Sequence, residues 1–376
     1  MTDISYQPIV NAEIISAASK QFAADISPGI AHISAIVKSA APVIREKLQG
    51  EGLICPEGQG SPTTVYACDG ASFDKEFVGQ QFSAVLAVIG RHSGHGAGWR
   101  HKSEQCISPV DALRENRFAK AIRFALELEL LSEAPNSGVV IADGSSTTFL
   151  WDTNNNIRAL IPKNGEAPVD DTSLDMTKRK YSEIVKRVTR PADGGVNLLI
   201  RALQHPSVIW MSKESIGQSL CNSHKALFTD ESGNLLRLND RMLYSAILQE
   251  GERTTAQPMP TKLGIETKTH VTYPEAEHSV MRMLFHSSMK FIYYRPHGFQ
   301  PCYRIEFNSD NYPEGSPRFL DMLASVKEET NIVGFVEPRA QFFADSEARQ
   351  IAPMLSRMLD EAMASTDLFT QNRTSR

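Results

Sequence analysis

The order of apolar and polar residues along the 376-residue chain predicts alternating strands and helices. Short apolar runs next to turn-forming residues predict strands at 64–68, 82–89, 139–142, 208–211, 290–294 and 303–307. Apolar residues spaced three and four apart predict helices at 109–133, 176–189, 239–249, 317–329 and 341–364. Residues 9–48 have the same spacing and predict two or three helices, with a break at Ser27-Pro28-Gly29. The alternation indicates an α/β or α+β fold without an internal repeat.

Loops are expected where glycine, proline and other turn-forming residues concentrate, at 50–63, 91–106 and 152–175. Ser108 and Pro109 suit the N-cap and the first position of the 109–133 helix. No shift in composition marks a domain boundary within the rest of the chain. We therefore predict an N-terminal helical arm at 1–50 and one elaborated domain at 51–376.

Composition and charge exclude some classes of protein. A net charge of -5 and a pI of about 6.1 argue against a protein that coats nucleic acid over its whole surface. Five cysteines without CxxC spacing favour a reducing compartment over a disulfide scaffold. We see no secretory leader and no apolar run of membrane-spanning length, so we expect a cytoplasmic protein without a membrane partner.

The most informative pattern is a pair of similar segments, YACDGAS at 66–72 and VIADGSS at 140–146. Each places an apolar strand directly before Asp-Gly, at Asp69 and at Asp143. Asp-Gly is a common turn signal, and Gly70-Ala71-Ser72 is expected to be a turn. If the two strands are neighbours, however, the two carboxylates converge and need a shared cation or proton. Their oxygen ligands suit Mg²⁺ or Mn²⁺.

The 109–133 helix offers a third carboxylate. Glu129 falls on the same stripe as Phe118, Ile122 and Ala125, where an unpaired charge is costly unless a metal or an arginine accompanies it. Glu127 falls instead beside Lys120 and Arg123, on what looks like a solvated ion-pair face. The helical wheel therefore favours Glu129 as the ligand.

The order of these motifs resembles that of the NurA family of DNA-end nucleases. DGAS, a helix with acidic residues, VVIADGSS and VIWMSKES are followed by LNDRMLYSAILQEGERT, FIYYR, YRIEF, YP and QFFAD with AR. The resemblance spans roughly residues 60–350 and depends on the shared order, since each short motif alone is weak.

The resemblance implies an RNase H-like mixed sheet with flanking helices, a homodimer, and Mn²⁺-dependent cleavage of DNA together with a HerA-type hexameric ATPase. By matching positions, it implies metal-binding roles for Asp69 and Asp143, a helix glutamate at Glu127 or Glu129, and a functional tyrosine at Tyr293 or Tyr294. Adjacent strand residues point to opposite faces, so only one of these tyrosines can line the site. The histidine of the family pattern is missing from 319–329, and His297 is the nearest candidate.

Basic residues add candidate DNA contacts. Lys213, at the end of its strand, is placed to contact the scissile phosphate. The 176–189 helix carries cations that suit a DNA backbone, or else form a solvated face: Lys178, Arg179, Lys180, Lys186 and Arg187. A further array, His92, His95, His101 and Cys106, matches no well-marked zinc module and suggests a contact loop instead.

We therefore expect a metal-dependent DNA nuclease with catalytic residues Asp69, Asp143, Glu127 or Glu129, Lys213 and a tyrosine. Its context would be DNA end processing or defence against phage. Two alternatives stay open: a catalytically impaired, NurA-like subunit with a DNA-binding or assembly role, and an RNase H-like nuclease that acts on RNA.

Overall fold

The computed structural model describes residues 12–77, 80–93, 96–109, 117–149, 197–212, 217–229, 235–236, 238–259, 280, 283–332 and 337–364. The principal helices in these ranges are α1 (Ala12–Gly50), α2 (Arg117–Ser132), α3 (Leu198–Gln204), α4 (Ser219–Ser223), α5 (Asp240–Ile247), α6 (Pro317–Glu329) and α7 (Arg339–Ala364). The strands are β1 (Ile54–Pro56), β2 (Val65–Phe77), β3 (Gln80–Ser93), β4 (Gly96–Pro109), β5 (Val139–Asp143), β6 (Val208–Ser212), β7 (Glu252–Thr254), β8 (Gln257–Pro258), β9 (Met289–Arg295) and β10 (Tyr303–Asn308).

The strands form one mixed sheet in the order β1-β7-β9-β10-β6-β5-β2-β3-β4, with β8 paired to β9. β5 runs parallel to both β2 and β6, and the other pairs are antiparallel. The antiparallel meander β2-β3-β4, followed by the parallel strands β5 and β6, is the arrangement of an RNase H-like core. The predicted α/β fold with a mixed RNase H-like sheet is thus confirmed.

Helices cover both faces of the sheet, which explains why its central strands are apolar on both sides. One face packs against α1, α2, α3 and α5, and its core includes Trp210 and Tyr293. The other face packs against α6 and α7, and its core includes Ile141 and Tyr294. A ligand can therefore reach the middle of the sheet only at a strand end or between elements.

The long antiparallel strands β2, β3 and β4 correct two local predictions. β2 continues through Gly70-Ala71-Ser72 to Phe77, so these residues form no turn. The segment 91–106 is not a loop, because most of it belongs to β3 and β4. A β-carbon at Gly90 would lie 2.4 Å from the Gly98 carbonyl oxygen, so glycine there permits close strand contact rather than a turn.

Two predictions about helices also differ from the structure. Ser108 and Pro109 end β4, where they pair with Gln81 and Gln80, so they do not start α2. α1 continues through Ser27-Pro28-Gly29 without the predicted break. A proline removes one backbone hydrogen bond from a helix, and 39 residues of helix tolerate that loss here.

The C-terminal half of α1 is anchored on the domain. Ile44 is fully buried, and Arg45 forms a two-pronged pair with Glu252 at 2.7 Å and 2.7 Å. The hydrogen bond from Arg45 lowers the pKa of Glu252. This part of the predicted arm therefore contributes to the same core as the sheet.

The remaining predicted strands and helices agree with the structure to within a few residues where residues are described. The predicted loop at 152–175 and the basic helix at 176–189 lie outside the described residues. In the described ranges, no helix combines the length and apolar character needed to cross a membrane.

Candidate active site

Asp69 and Asp143 occupy neighbouring positions on parallel strands. The register pairs Cys68 with Ala142, so each aspartate is the next residue on its strand. The condition for convergence of the two carboxylates, that their strands are neighbours, is therefore met. Asp143 ends β5, and Gly144 follows with a φ of 96°, a conformation that favours glycine. The Gly144 amide donates to the Met211 carbonyl at 3.0 Å, which fixes the turn to β6.

Asp69 lies inside β2 and is held by two donors. The Gly70 amide donates to its Oδ1 at 2.7 Å, and Gln341 Nε2 on α7 donates to its Oδ2 at 3.2 Å. The carboxylate is buried, with 6% of the residue exposed. Both of its oxygens are thereby oriented by the protein before any ligand arrives.

A cavity of about 540 Å³ opens where these two strands meet α2 and α7. It is bordered by five carboxylates, two arginines and four further residues: Asp69, Glu127, Asp143, Glu337, Asp345, Arg123, Arg349, Gly70, Ala71, Ser72 and Phe124. Four of the five carboxylates lie on regular strands or helices, which makes the site rigid and strongly electronegative.

Glu127 is the helix glutamate that reaches this cavity. It is buried, with 3% exposed, and Arg123 Nε lies 3.3 Å from its Oε1. The predicted solvated face is therefore wrong for this residue. Burial raises the pKa of Glu127 to about 8; Arg123 opposes that rise, and the charges of Asp69 and Asp143 add to it. The charges of Asp69 and Asp143 thus disfavour ionisation of Glu127, and a cation bound among the three side chains would favour it.

Glu129 lies outside the cavity, contrary to the wheel-based preference for it as the metal ligand. Its carboxylate lies 3.3 Å from Lys102 Nζ on β4, so a lysine supplies a countercharge at this position. Glu129 joins α2 to β4, and Glu127 takes its place among the candidate ligands.

The two candidate tyrosines point to opposite faces of β9, as predicted, and neither lines the cavity. Tyr293 stacks on Tyr244 with 4.3 Å between ring centroids. The Tyr294 hydroxyl donates to Glu57 Oε2 at 2.5 Å. Burial, the largest cause, and Glu57 both raise the pKa of Tyr294. His297 lies apart as well, with its Nε2 2.9 Å from the Lys327 carbonyl.

Several other predicted site residues cannot be placed. Lys213 and the basic cluster Lys178, Arg179, Lys180, Lys186 and Arg187 lie outside the described residues. Within the histidine and cysteine array, the described side chain is that of His101, whose Nε2 lies 3.2 Å from Glu347 Oε1. It bridges β4 and α7.

The face of α7 towards the cavity was not assigned any role from the sequence. Gln341, Asp345 and Arg349 follow each other at four-residue intervals, so they share one side of the helix. Arg349 Nε lies 2.7 Å from Asp345 Oδ1. This spacing was visible in the sequence, but nothing there indicated that α7 packs against β2.

The donor set fits a hard divalent cation. Asp69, Asp143 and Glu127 offer only carboxylate oxygens, which Mg²⁺ and Mn²⁺ prefer. Burial raises the pKa of Glu127 most, the charges of Asp69 and Asp143 raise it further, and bound positive charge would offset both effects. Among the described residues, no group of three histidine, cysteine or acidic side chains is close enough to form a preformed metal cage. The three carboxylates thus border one cavity without forming such a cage.

The fold of this chain is similar to folds seen in known proteins. No family model matches the sequence, and no curated protein matches it. Several solved structures do. The NurA nuclease from Sulfolobus solfataricus is 15% identical, with a TM-score of 0.51 over 94% of this chain and 98% of its own. A second NurA structure is 10% identical, with a TM-score of 0.53 over 90% and 98%. A NurA structure with manganese is 11% identical, with a TM-score of 0.51 over 89% and 98%. The chain therefore has the fold of the NurA nucleases.

Proposed function

We propose that this protein is a metal-dependent nuclease that hydrolyses phosphodiester bonds in DNA. The observation that carries the proposal is the meeting of Asp69, Asp143 and Glu127 at one cavity in a NurA fold. Carboxylates from two parallel strands and one helix offer oxygen ligands from three separate elements, and such sites suit two-metal or one-metal phosphoryl chemistry.

The proposed cofactor is Mn²⁺ or Mg²⁺, held by Asp69, Asp143 and Glu127. One structure with the same fold contains manganese, which supports the choice of ion. When bound, the ion would supply positive charge to the attacked phosphate and to the leaving oxygen. Glu127 would enter this role as a carboxylate, so ion binding would compete with the proton that burial favours on it.

Other residues of the chain would bind the substrate. Arg123 and Arg349 border the cavity and offer charge-assisted hydrogen bonds to phosphate oxygens. Gln341 would keep Asp69 oriented through its 3.2 Å hydrogen bond. Lys213 and the 176–189 basic segment remain predicted contacts to the DNA backbone.

The biological setting is a further part of the proposal. Motif order and fold together support a homodimer that works with a HerA-type hexameric ATPase on DNA ends, in end processing or in defence against phage. Copurification of this chain with such an ATPase, measured by size-exclusion chromatography with light scattering, tests the assembly. Failure of the two proteins to associate would remove this part and leave the nuclease proposal intact.

A catalytically impaired subunit is the second candidate function. It is favoured by the lack, among the described residues, of a preformed metal cage. It is also favoured by the position of His297, which is bonded to Lys327 rather than directed to the cavity. Such a subunit would bind DNA and its ATPase partner without cutting.

The deciding experiment incubates the purified protein with linear DNA, and separately with RNA of the same sequence, over a range of Mn²⁺ concentrations. We expect cleavage of DNA that is lost in Asp69→Ala and in Asp143→Ala. Asp310→Ala is the matched control, because Asp310 follows β10 beside the start of β6, at the opposite ends of the strands from Asp143, and accepts from Ser288. Full activity in both site variants would refute the nuclease assignment at this cavity. Binding without cleavage by the wild type would favour the impaired subunit, and faster cleavage of RNA would favour an RNA nuclease.

A further inference from the structure

Glu306 is a fully buried carboxylate in the middle of β10. Its relative exposure is 0%, and it lies between Ile305 and Phe307, which are also fully buried. Removing a charge from water is costly unless good partners surround it. Its Oε1 accepts from Ser145 Oγ at 2.7 Å, and its Oε2 accepts from the Ser146 amide at 2.8 Å and from Ser146 Oγ at 2.6 Å.

An arginine supplies the countercharge. Arg304 Nε lies 2.9 Å from Glu306 Oε1, and the guanidinium stacks 4.2 Å from the centre of the Phe291 ring. Arg304 also hydrogen-bonds to Tyr293. The charge of Glu306 is therefore paired, and the network continues to one of the two tyrosines expected to have a function.

All three donors from the serines belong to the turn that follows Asp143. The register pairs Glu306 with Trp210, and Trp210 with Ala142, so Glu306 lies two strands from β5. Its carboxylate spans that distance to residues two and three places beyond Asp143. The turn is thus held at Gly144 by β6 and at Ser145-Ser146 by β10.

We propose that Glu306 is a positioning residue that fixes the turn after Asp143 and so sets the Asp143 carboxylate for ion binding. The proposal rests on the proposed function for its ion-binding part. An apolar residue at position 306 would avoid the cost of burying a charge. The carboxylate instead provides three hydrogen bonds to one turn. Tyr293 acts in the same network, through Arg304, without contacting the cavity.

The test compares the wild type with Glu306→Gln. Glutamine keeps the shape of the side chain, but its amide nitrogen cannot accept a hydrogen bond as the second carboxylate oxygen does. Glu252→Gln is the matched control, because Glu252 also bonds one backbone amide, that of Gln249, and one arginine, Arg45. Two quantities are measured: hydrogen exchange of the backbone amides at 143–149, and Mn²⁺ affinity by calorimetry. In Glu306→Gln we expect exchange to be about 10-fold faster and affinity to fall about 10- to 100-fold, as for other groups that orient metal ligands. Neither quantity should change in Glu252→Gln.

Each outcome decides between positioning and a merely structural role. Unchanged exchange at 143–149 overturns the proposal, as does faster exchange with unchanged Mn²⁺ affinity. If Glu306→Gln does not fold, Ser146→Ala removes one donor to Glu306 and should shift both quantities in the same direction by a smaller factor. If the wild type binds no Mn²⁺, the proposed function fails separately, and with it the ion-binding part. The exchange measurement then still shows whether Glu306 holds the turn.

Discussion

A β-carbon at Gly70 would lie 2.3 Å from Oε1 of Glu127, a contact too short for any side chain. It would also lie 2.5 Å from Cγ of Arg123. Glycine at this position therefore lets α2 approach β2 closely enough for Glu127 to share a cavity with Asp69. The Asp-Gly pair at 69–70 is a helix-strand contact, while the one at 143–144 is a true turn.

Gly70→Ala is expected to push α2 away from β2. Overpacking of this kind typically costs about 1–3 kcal/mol of unfolding free energy, and the displaced Glu127 should weaken Mn²⁺-dependent cleavage. Urea unfolding and a DNA cleavage assay measure the two effects. Gly98→Ala is the control, because a β-carbon there meets nothing within 4 Å. Equal effects of the two substitutions would contradict the close-contact explanation.

The two glutamates of α2 are expected to respond differently to the same substitution. Glu127→Gln should lower Mn²⁺-dependent cleavage more than about 100-fold, beyond the effect usual for groups that only orient a ligand. It should not lower stability, because burial already favours the neutral form of Glu127 and glutamine is neutral as well. Glu129→Gln weakens its pair with Lys102 and should cost about 1 kcal/mol of unfolding free energy or less while cleavage is kept.

Both variants need only a cleavage assay and a urea unfolding curve. The reverse pattern, with cleavage lost in Glu129→Gln and kept in Glu127→Gln, would restore the helical-wheel preference. Loss of cleavage in both, with normal unfolding curves, would mean that the α2 contact with β4 also controls the site.

Much of the fold could be predicted from the sequence because its central strands are short apolar runs with clear ends. β5 and β6 were predicted almost to the residue, since both faces of each strand are buried. The continuation of β2 beyond Asp69 could not be predicted. It depends on pairing with β3, and the polar residues after Ser72 have no strand pattern of their own.

The parts of the site that follow apolar strands could be predicted from the sequence. The parts that depend on how helices pack against the sheet could not. Asp69 and Asp143 follow apolar strands, so their proximity followed from one assumption about neighbouring strands. The choice between Glu127 and Glu129 depends on which flank of the apolar stripe meets the sheet, and a helical wheel carries no such information. Arg349 on α7 lies 206 residues after Asp143, and only the folded chain brings both to one cavity.

Tyr294→Phe is expected to reduce stability without reducing cleavage. The hydroxyl bonds Glu57, which also pairs with Lys327 and so joins β9 to the segment after β1 and to α6. Losing the donor should cost about 1–3 kcal/mol of unfolding free energy, as is usual for a buried hydrogen bond to a charged group. Thermal unfolding and cleavage by equal amounts of folded protein provide the measurements. A large loss of cleavage in the folded variant would give this tyrosine the functional role that the resemblance implied.

His205 is expected to make the fold less stable in mild acid. Its Nε2 lies 3.1 Å from the Ala134 carbonyl just beyond α2, and its Nδ1 accepts from the Ser207 amide at 3.3 Å, which requires a neutral ring. Burial lowers the pKa of His205 below 6.5; the Ala134 carbonyl opposes this, and Arg318 lowers the pKa further. Between pH 6.5 and the lower pKa of the folded state, the unfolded chain therefore binds a proton at this histidine that the folded chain does not.

The stability that His205 contributes is therefore complete above pH 6.5 and is lost as pH falls towards the lower pKa of the folded state. The slope is at most about 1.4 kcal/mol per pH unit. Unfolding free energies from urea titrations at about pH 7.5 and about pH 5.5 give the slope, and His205→Gln should make it shallower than in the wild type. His286→Gln removes a histidine elsewhere and serves as the control substitution. Parallel curves for wild type and His205→Gln would mean that the ring is protonated in the folded protein and that Ser207 does not donate to it.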